Sequence, residues 1–531
     1  MLNVLFPFAG GIGLFLIGMM LLSSGLVAFA GGALQKALIR FTGTPWKAFA
    51  SGAVLTALAQ SSTATTVTLI GFVSAGLITF TQAIGVVIGA SLGNTATGWI
   101  IAGLGLKINL GFYTLPFIGA GALLKLLVSG RWGELGTAIA GFGILFLGLD
   151  TMQDGMQGLS SVLDLAQLPS GGFGASLLIM LIGLIMTAIL QSSTAAVATT
   201  LTAVHAGAIN FDQAAAVVVG ASIGTTLTSA LATIGGTIYA KRTALAYILF
   251  NLGAGLIAVL LLPGLLYLAQ SLARHLGLEA GALGLAAFHS LFIGLGVALF
   301  MPLINPFARS IARMLPEREG DYARHLDATL LNVPEVALGA SQRAVHEIIE
   351  RVFLVYQQVL AMERPAALKH DMLRVRGALE QAFDFVTRIP ASADDDKLNR
   401  RRVAQLHAID HLMRLCSRLN EPVAEQADFN GRELSPAARR CRDILALAGE
   451  GLAGRLEKGW VEQVGRDAAA LAELSRQVRH DILQDTGPGR NGAAEALCKA
   501  DAFRWLERGA NHVWRISHYA ADDFGLARER A

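Results

Sequence analysis

The stretch Gln60-Ser61-Ser62-Thr63 recurs as Gln191-Ser192-Ser193-Thr194, 131 residues further on, and the text around it recurs too. Thr56 to Thr97 aligns on Thr187 to Thr228 without a gap, with identities at Thr56-Ala57, Gln60 to Ala64, Gln82-Ala83, Gly89 to Ser91, Gly93, Thr95 and Thr97. Such a repeat governs the reading of everything else. Each copy is an apolar segment broken by small polar residues, the pattern of the discontinuous helices that form transport sites near a bilayer midplane.

Charge divides the chain. Of its 42 Lys and Arg only nine precede Pro306, and of its 39 Asp and Glu only six. A soluble domain does not leave so long a stretch bare of charge, whereas each membrane-crossing helix needs about 20 apolar residues. The expected fold is therefore all-α. Residues 1–305 form a polytopic membrane domain with broken or re-entrant helices, holding repeat one at about 4–130, repeat two at about 136–262 and a final span at about 283–304. Residues 306–324 are a charged linker, and 325–531 a soluble helical bundle of about six helices, with Val345, Ile348, Ile349, Val352, Val355 and Tyr356 at helical spacing. All three cysteines, Cys416, Cys441 and Cys498, lie in that last part. An odd, widely spaced set fits buried thiols in a reducing compartment. Val4 to Leu22 lacks a basic leader and reads as a retained helix.

Within the membrane part, Thr44-Pro45 predicts an N-cap followed by proline in the first turn. A helix too short to span then stops at Gln60-Ser61-Ser62, and a second short helix, about Ala64 to Ala75, leaves the break. The apolar run Gln82 to Gly103 is interrupted at Gly89-Ala90-Ser91-Leu92-Gly93-Asn94-Thr95, and Phe112 to Val128 closes the first half. In the second half Gly141 to Gly155 resembles Gly11 to Gly25, Leu177 to Leu190 leads into the second break, and Gln213 to Ile234 carries Gly220-Ala221-Ser222-Ile223-Gly224-Thr225-Thr226. Thr243 to Leu262 and Leu283 to Ile304 are further spans. Arg309, Arg313 and Arg318 follow the last span and put the charged domain in the cytoplasm. Lys36, Arg40 and Lys47, then Lys125 and Arg131, place the two copies in opposite orientations. The stretch from about Leu165 to Gly174, which matches the basic connection of the first copy, has no Lys or Arg. An inverted repeat predicts that asymmetry.

Backbone groups at membrane depth must be bonded internally or face a wet cavity. A half-helix N-terminus suits an anion, while hydroxyls and freed carbonyls suit a small cation such as sodium. No Lys or Arg sits beside either Gln-Ser-Ser-Thr. An anion there is held by N–H, hydroxyl and amide donors with co-bound cations neutralising it, which couples the two. The bland alternative is Ser and Thr bonding back to their own helix or allowing close packing. An ungapped double occurrence argues against that for the breaks. For the Gly-Ala-Ser-x-Gly segments packing and cation ligation explain the residues equally well. Asp212 reads as an N-cap and His205 as an interfacial histidine. His289, inside the last span, is a functional candidate by default, with no obvious partner. No Ser/His/Asp, Cys/His or metal-ligand cluster has catalytic spacing, which argues against an enzyme.

The duplicated Gln-Ser-Ser blocks and the Gly-Ala-x-x-Gly-x-Thr segments after them make residues 5 to 305 resemble the sodium–phosphate cotransporter family of the type II class, in its bacterial form. The resemblance implies phosphate and sodium bound between two inverted repeats that move by alternating access in the inner membrane. It implies a substrate site at Gln60, Ser61, Ser62, Thr63, Gln191, Ser192, Ser193 and Thr194, and sodium ligands at Ser91, Thr95, Ser222, Thr225 and Thr226. The chain departs from the family in having Thr63 and Thr194 where Ser is usual, Ser91 and Ser222 where Asn is usual, and Asn94 for a Thr. The charged part resembles a PhoU-type regulatory domain through Arg504-Trp505-Leu506-Glu507-Arg508 with Asn511-His512, and through His407 to Leu415 with Asp410-His411. Each copy lacks one carboxylate of that family's metal pair, since Asn511 follows Glu507 and Leu406 precedes Asp410, so no metal cluster is expected.

The expected function is sodium-coupled phosphate transport. Its partners are inorganic phosphate, sodium ions, the lipid bilayer, a cytoplasmic regulatory protein and a second copy of the chain as a homodimer; no nucleic acid and no cofactor is expected beyond the co-transported ion. Two alternatives stand beside it: export of phosphate or a related oxyanion on the same fold, and a membrane-bound phosphate sensor with a signalling tail.

Overall fold

The computed structural model describes residues 2–31, 40–74, 76–107, 113–160, 173–231, 237–275, 281–317, 321–363, 368–391, 395–484 and 492–524. Lys36, Asp164, Arg318, the 485–491 loop and most of the 165–174 stretch lie outside them. Among the described residues every regular element is helical. The chain forms two compact units, residues 1–73 with 77–316, and residues 74–76 with 317–531.

The first unit opens with α1 (Leu2–Ala30), α2 (Pro45–Ala59), α3 (Ser62–Ser74), α4 (Phe80–Ile100), α5 (Thr114–Leu127) and α6 (Arg131–Ser160). It continues with α7 (Phe173–Leu190), α8 (Ser193–His205), α9 (Phe211–Leu231), α10 (Ile238–Leu260), α11 (Leu262–His275), α12 (Ala282–Phe300) and α13 (Ile304–Met314). Among the described residues six stretches are long and apolar enough to cross a membrane: Leu5–Ala30, Phe80–Leu106, Arg131–Gly158, Phe173–Leu190, Ile238–Leu260 and Ala282–Phe300. Two helices, α4 and α8, are inner ones. Most of α4 and α8 is buried, while α1 and α7 expose large apolar side chains such as Ile17, Met20, Leu181 and Ile189.

The two copies pack alike, residue for residue. A Cβ on Gly52 would lie 2.2 Å from the Val86 carbonyl oxygen, and one on Gly183 equally 2.2 Å from that of Val217. A Cβ on Gly89 would lie 2.0 Å from the Phe49 oxygen, and one on Gly220 1.9 Å from that of Met180. Each second-copy residue stands 131 positions beyond its first-copy counterpart. Only glycine permits these crossings of α2 with α4 and of α7 with α9, because any side chain would enter the facing backbone. A second glycine seam joins α1 to α6: Gly11 meets Met152, Gly18 meets Leu145 and Gly25 meets Ala138. Partner numbers fall as the others rise, so these matching helices run antiparallel.

Several expectations change here. The Gly-Ala-Ser segments do not interrupt their helices; α4 and α9 run through them unbroken. Their small residues serve the helix crossings, so the main-chain carbonyls stay in the helix ladder rather than being freed for a cation. Asp212 is not the N-cap of α9. Asn210 accepts from the Gln213 N–H at 2.9 Å, and Gln213 Oε1 accepts from the Asn210 N–H at 3.0 Å. Thr79 and Gln82 form the same capping box in the first copy, and Asp212 sits in the first turn, where its charge suits the helix dipole. The run expected at Phe112 to Val128 is described from Tyr113 onward and holds a helix of only 14 residues, too short to span alone. Thr44 caps α2 as expected, accepting from the Lys47 N–H at 3.3 Å with Pro45 at the first position. The amphipathic helices α11 and α13 were not anticipated.

The second unit holds α14 (Pro334–Leu360), α15 (Leu368–Thr387), α16 (Asp396–Leu419), the short α17 (Pro422–Gln426), α18 (Ser435–Leu452), α19 (Trp460–Gln484) and α20 (Ala493–Phe524). All six α14 positions named from periodicity are buried. The Trp505 ring meets Tyr356 edge-on at 5.1 Å, and its Nε1 donates to the Arg418 carbonyl at 2.9 Å, which satisfies a buried indole. The end of α20 is tied down by Asp523, whose carboxylate accepts from Gln405 Nε2 at 2.8 Å and Arg401 Nε at 3.2 Å.

Candidate functional site

Both breaks are built the same way. α2 and α7 each end on a glutamine in the left-handed region, Gln60 at φ 53° and Gln191 at φ 54°. This turn costs a side-chain-bearing residue about 1 kcal/mol. The chain then re-enters helix at once. Ser61 Oγ accepts from the Ala64 N–H and Ser192 Oγ from the Ala195 N–H, both at 3.2 Å, so the first serine of each pair caps the helix behind the break. Each glutamine amide donates back to the carbonyl three residues earlier, Gln60 Nε2 to Ala57 and Gln191 Nε2 to Ala188. The break thus satisfies a C-terminal carbonyl and an N-terminal amide from its own side chains.

The copies differ in what surrounds them. Gln60 is buried, and its Oε1 accepts from Thr97 Oγ1 at 2.8 Å. Thr56 Oγ1 donates to Thr65 Oγ1 at 3.0 Å across the same break, linking α2 to α3. Gln191 is exposed, whereas Ser193 is buried. Thr194 Oγ1 donates to Asn94 Oδ1 at 3.2 Å, a direct bond between the second break and a helix of the first copy.

A cavity of about 10 Å³ lies at that junction, lined by Ser91, Asn94, Ser193, Ser222, Thr225, Tyr247, Asn251 and His289 among others. Ser91 and Asn94 are the counterparts of Ser222 and Thr225, so the two copies contribute matching faces. Space of this size holds about one water molecule. Its polar lining is hydroxyl, amide and imidazole, with no Lys, Arg, Asp or Glu.

Of the residues predicted for the substrate, Ser193 lines the cavity and Thr194 bonds to its Asn94. Gln60, Ser61, Ser62, Thr63, Gln191 and Ser192 do not line it. Thr63 is exposed. Of the residues predicted for sodium, Ser91, Ser222 and Thr225 line the cavity. Thr95 and Thr226 are buried, and Thr95 Oγ1 accepts from Ser290 Oγ at 3.0 Å. Several of these hydroxyls bond back to their own helix: Ser91 to Val87 at 3.3 Å, Thr95 to Leu92 at 2.8 Å and Thr225 to Ser222 at 2.6 Å. Sequence reasoning missed Tyr247 and Asn251 on α10 because they lie outside the duplicated block. For Asn94 a signal existed: it occupies the register of Thr225.

Paired helix breaks and a polar cavity among long apolar helices are features of a multi-pass membrane protein. The chain belongs to the Na+/Pi-cotransporter family, whose model matches it twice, at residues 14–154 and 167–305. A Bacillus subtilis (strain 168) protein named "Uncharacterized protein YqeW" is 33% identical over 321 residues, covering 59% of this chain and 99% of the relative. The Escherichia coli (strain K12) protein named "Putative inorganic phosphate export protein YjbB" is 29% identical over 471 residues, covering 80% of this chain and 84% of the relative. Its Salmonella typhimurium namesake is 31% identical over 336 residues, covering 62% of this chain and 60% of the relative. No solved structure matches the chain.

Proposed function

We propose that the protein carries inorganic phosphate across the bacterial inner membrane by alternating access, with sodium as the coupling ion. The observation that carries this reading is the doubled break, with left-handed glutamines at φ 53° and 54°, together with a cavity lined by matching residues of both copies and by Ser193 of the second break. Gln60, Ser61, Ser62 and Thr63, with Gln191, Ser192, Ser193 and Thr194, supply amide, hydroxyl and half-helix N–H donors to the anion. Ser91, Thr95, Ser222, Thr225 and Thr226 supply hydroxyl oxygens to sodium. With no Lys or Arg in the lining, the cation neutralises the anion, and this makes binding of one depend on the other. The cavity is far too small for phosphate, so loading requires the walls to part. The antiparallel seam between α1 and α6, matching helices of the two copies, supports an inverted repeat whose halves rock against each other.

The charge bias of Arg40, Lys47, Lys125, Arg131, Lys241, Arg242, Arg309 and Arg313 supports a cytoplasmic second unit. There it acts as a PhoU-like regulatory domain and docks a partner. A second reading, outward transport on the same fold, is favoured by the export named in the YjbB relatives. Both readings are tested by radiolabelled phosphate flux in proteoliposomes under sodium gradients of either sense, for wild type and Gln60→Ala/Gln191→Ala. Flux that follows the sodium gradient and is lost in the double variant supports coupled transport. Flux indifferent to sodium removes the coupling, and no flux in a folded protein under any gradient removes the transporter reading.

A further inference from the structure

The polar side chains around the junction cavity differ in what they have left to offer. Ser91 Oγ donates to the Val87 carbonyl at 3.3 Å, and Thr225 Oγ1 to the Ser222 carbonyl at 2.6 Å. A hydroxyl has a single proton, so these two oxygens meet the cavity as acceptors. Asn251 also turns an amide proton back on its own helix, its Nδ2 donating to the Tyr247 carbonyl at 2.9 Å. Acceptor oxygens suit a cation, in keeping with the sodium role proposed for Ser91 and Thr225.

Asn94 is different. It lines the same cavity from α4, and its Oδ1 accepts from Thr194 Oγ1 at 3.2 Å. That bond fixes the amide by its oxygen. The nitrogen carries two protons, and no acceptor among the described residues takes either of them. Thr194 stands in the first turn of α8, so the second break itself orients this donor. The arrangement is not repeated in the other copy. Thr225 occupies the register of Asn94 but gives its proton to Ser222, and Thr63, the counterpart of Thr194, is exposed.

Building on the phosphate reading above, we infer that Asn94 is a binding residue for the transported oxyanion, its Nδ2 donating to an anion oxygen while Thr194 holds the amide. In a lining without Lys or Arg, a neutral donor to a charged oxygen makes one of the strong contacts on offer. Because the Thr194 bond ties Asn94 to the second break, amide and half-helix reach the anion together when the walls part. The junction thereby separates its two ions, with amide nitrogen for the anion and hydroxyl oxygens for sodium.

The test measures binding of inorganic phosphate to the full-length protein in detergent and saturating sodium, by calorimetry, for wild type, N94T and N94D. The thermal shift that sodium gives without phosphate is read beside it. N94T puts the residue of the second copy at this register and removes the nitrogen donor, and should weaken phosphate binding roughly tenfold. N94D keeps the shape but sets a carboxylate where the donor was, and should weaken it further, with the sodium shift kept or enlarged. Phosphate bound as tightly by either variant as by wild type overturns the inference and leaves the transporter reading intact. Tighter binding by N94D would mean that the side chain faces the cation, which overturns it too. So does a parallel loss of the sodium shift and of phosphate binding in both variants, since that reports a damaged junction. Wild type that binds no phosphate in sodium overturns both readings. If N94D does not fold, N94T alone decides.

Discussion

Gln60 and Gln191 occupy a backbone region that favours glycine, at φ 53° and 54°. Glycine would relieve that strain of about 1 kcal/mol but would remove the amide that closes each helix end. Gln60 also holds Thr97 at 2.8 Å, and a net hydrogen bond of this kind contributes about 1 kcal/mol. The two effects offset, so Gln60→Gly should unfold within a few degrees of wild type while losing the thermal shift that phosphate gives the parent. An unchanged phosphate shift would remove Gln60 from the binding site. The left-handed turn was not legible from the motif, because glutamine has no preference for it. The serine caps were more legible, since Ser at a helix start accepts from the third N–H by ordinary stereochemistry.

Between elements, the glycine crossings set the distance at which α2 meets α4 and α7 meets α9. With only 1.9 Å between a Cβ on Gly220 and the Met180 oxygen, Gly220→Ala must push two backbones apart. We expect a loss of about 3 kcal/mol or more, read as a collapse of the detergent melting temperature. Gly13→Ala, which meets nothing within 4 Å, should be neutral or slightly stabilising. Equal behaviour of the two variants would show that the crossing is loose. In the second unit, α16 and α20 face each other through His411 and His512, whose Nδ1 atoms lie 3.2 Å apart. Burial, followed by the neighbouring His411, pushes His512 down to about 4. Burial pushes Asp523 up to about 6, with Arg401 opposing it. The histidine protonates more readily when unfolded, so its contribution is full above its ordinary value near 6.5 and is lost as pH falls through 4. The aspartate does the reverse, adding stability as pH falls below 6. Acidifying residues 317–531 from about pH 7.5 to 5 should therefore lower the urea midpoint less in His512→Gln than in wild type, and more in Asp523→Asn. The opposite order would mean that these groups do not carry the pH dependence.

At the scale of the molecule, the twofold match of the family model at 14–154 and 167–305 is the repeat that opened the sequence reading, now extended from the Gln-Ser-Ser core to whole halves. The division into two units falls at Pro316 and Glu317, close to where charge density changes. The thiols provide a simple check of the second unit's packing. Cys416 and Cys441 are buried, and burial pushes both up to about 12, whereas Cys498 is exposed. A thiol reagent should modify one cysteine per native chain and all three after denaturation. Rapid modification of more than one in the native protein would contradict this core.

Periodicity, charge and self-similarity determine what repeats and what is apolar, because those properties are carried by each residue wherever the chain goes. They were enough to separate a helical membrane part from a charged helical part, to find both breaks and to locate the amphipathic face of α14. They misread the Gly-Ala-Ser segments as interruptions because glycine and serine loosen a helix in isolation, whereas here they let two helices approach to backbone contact. They also left the cavity unseen. Asn94 meets Thr194, and Tyr247, Asn251 and His289 join Ser91 and Ser222, only because helices distant in sequence converge there. Close packing of neighbouring helices, which no single segment encodes, decided that convergence.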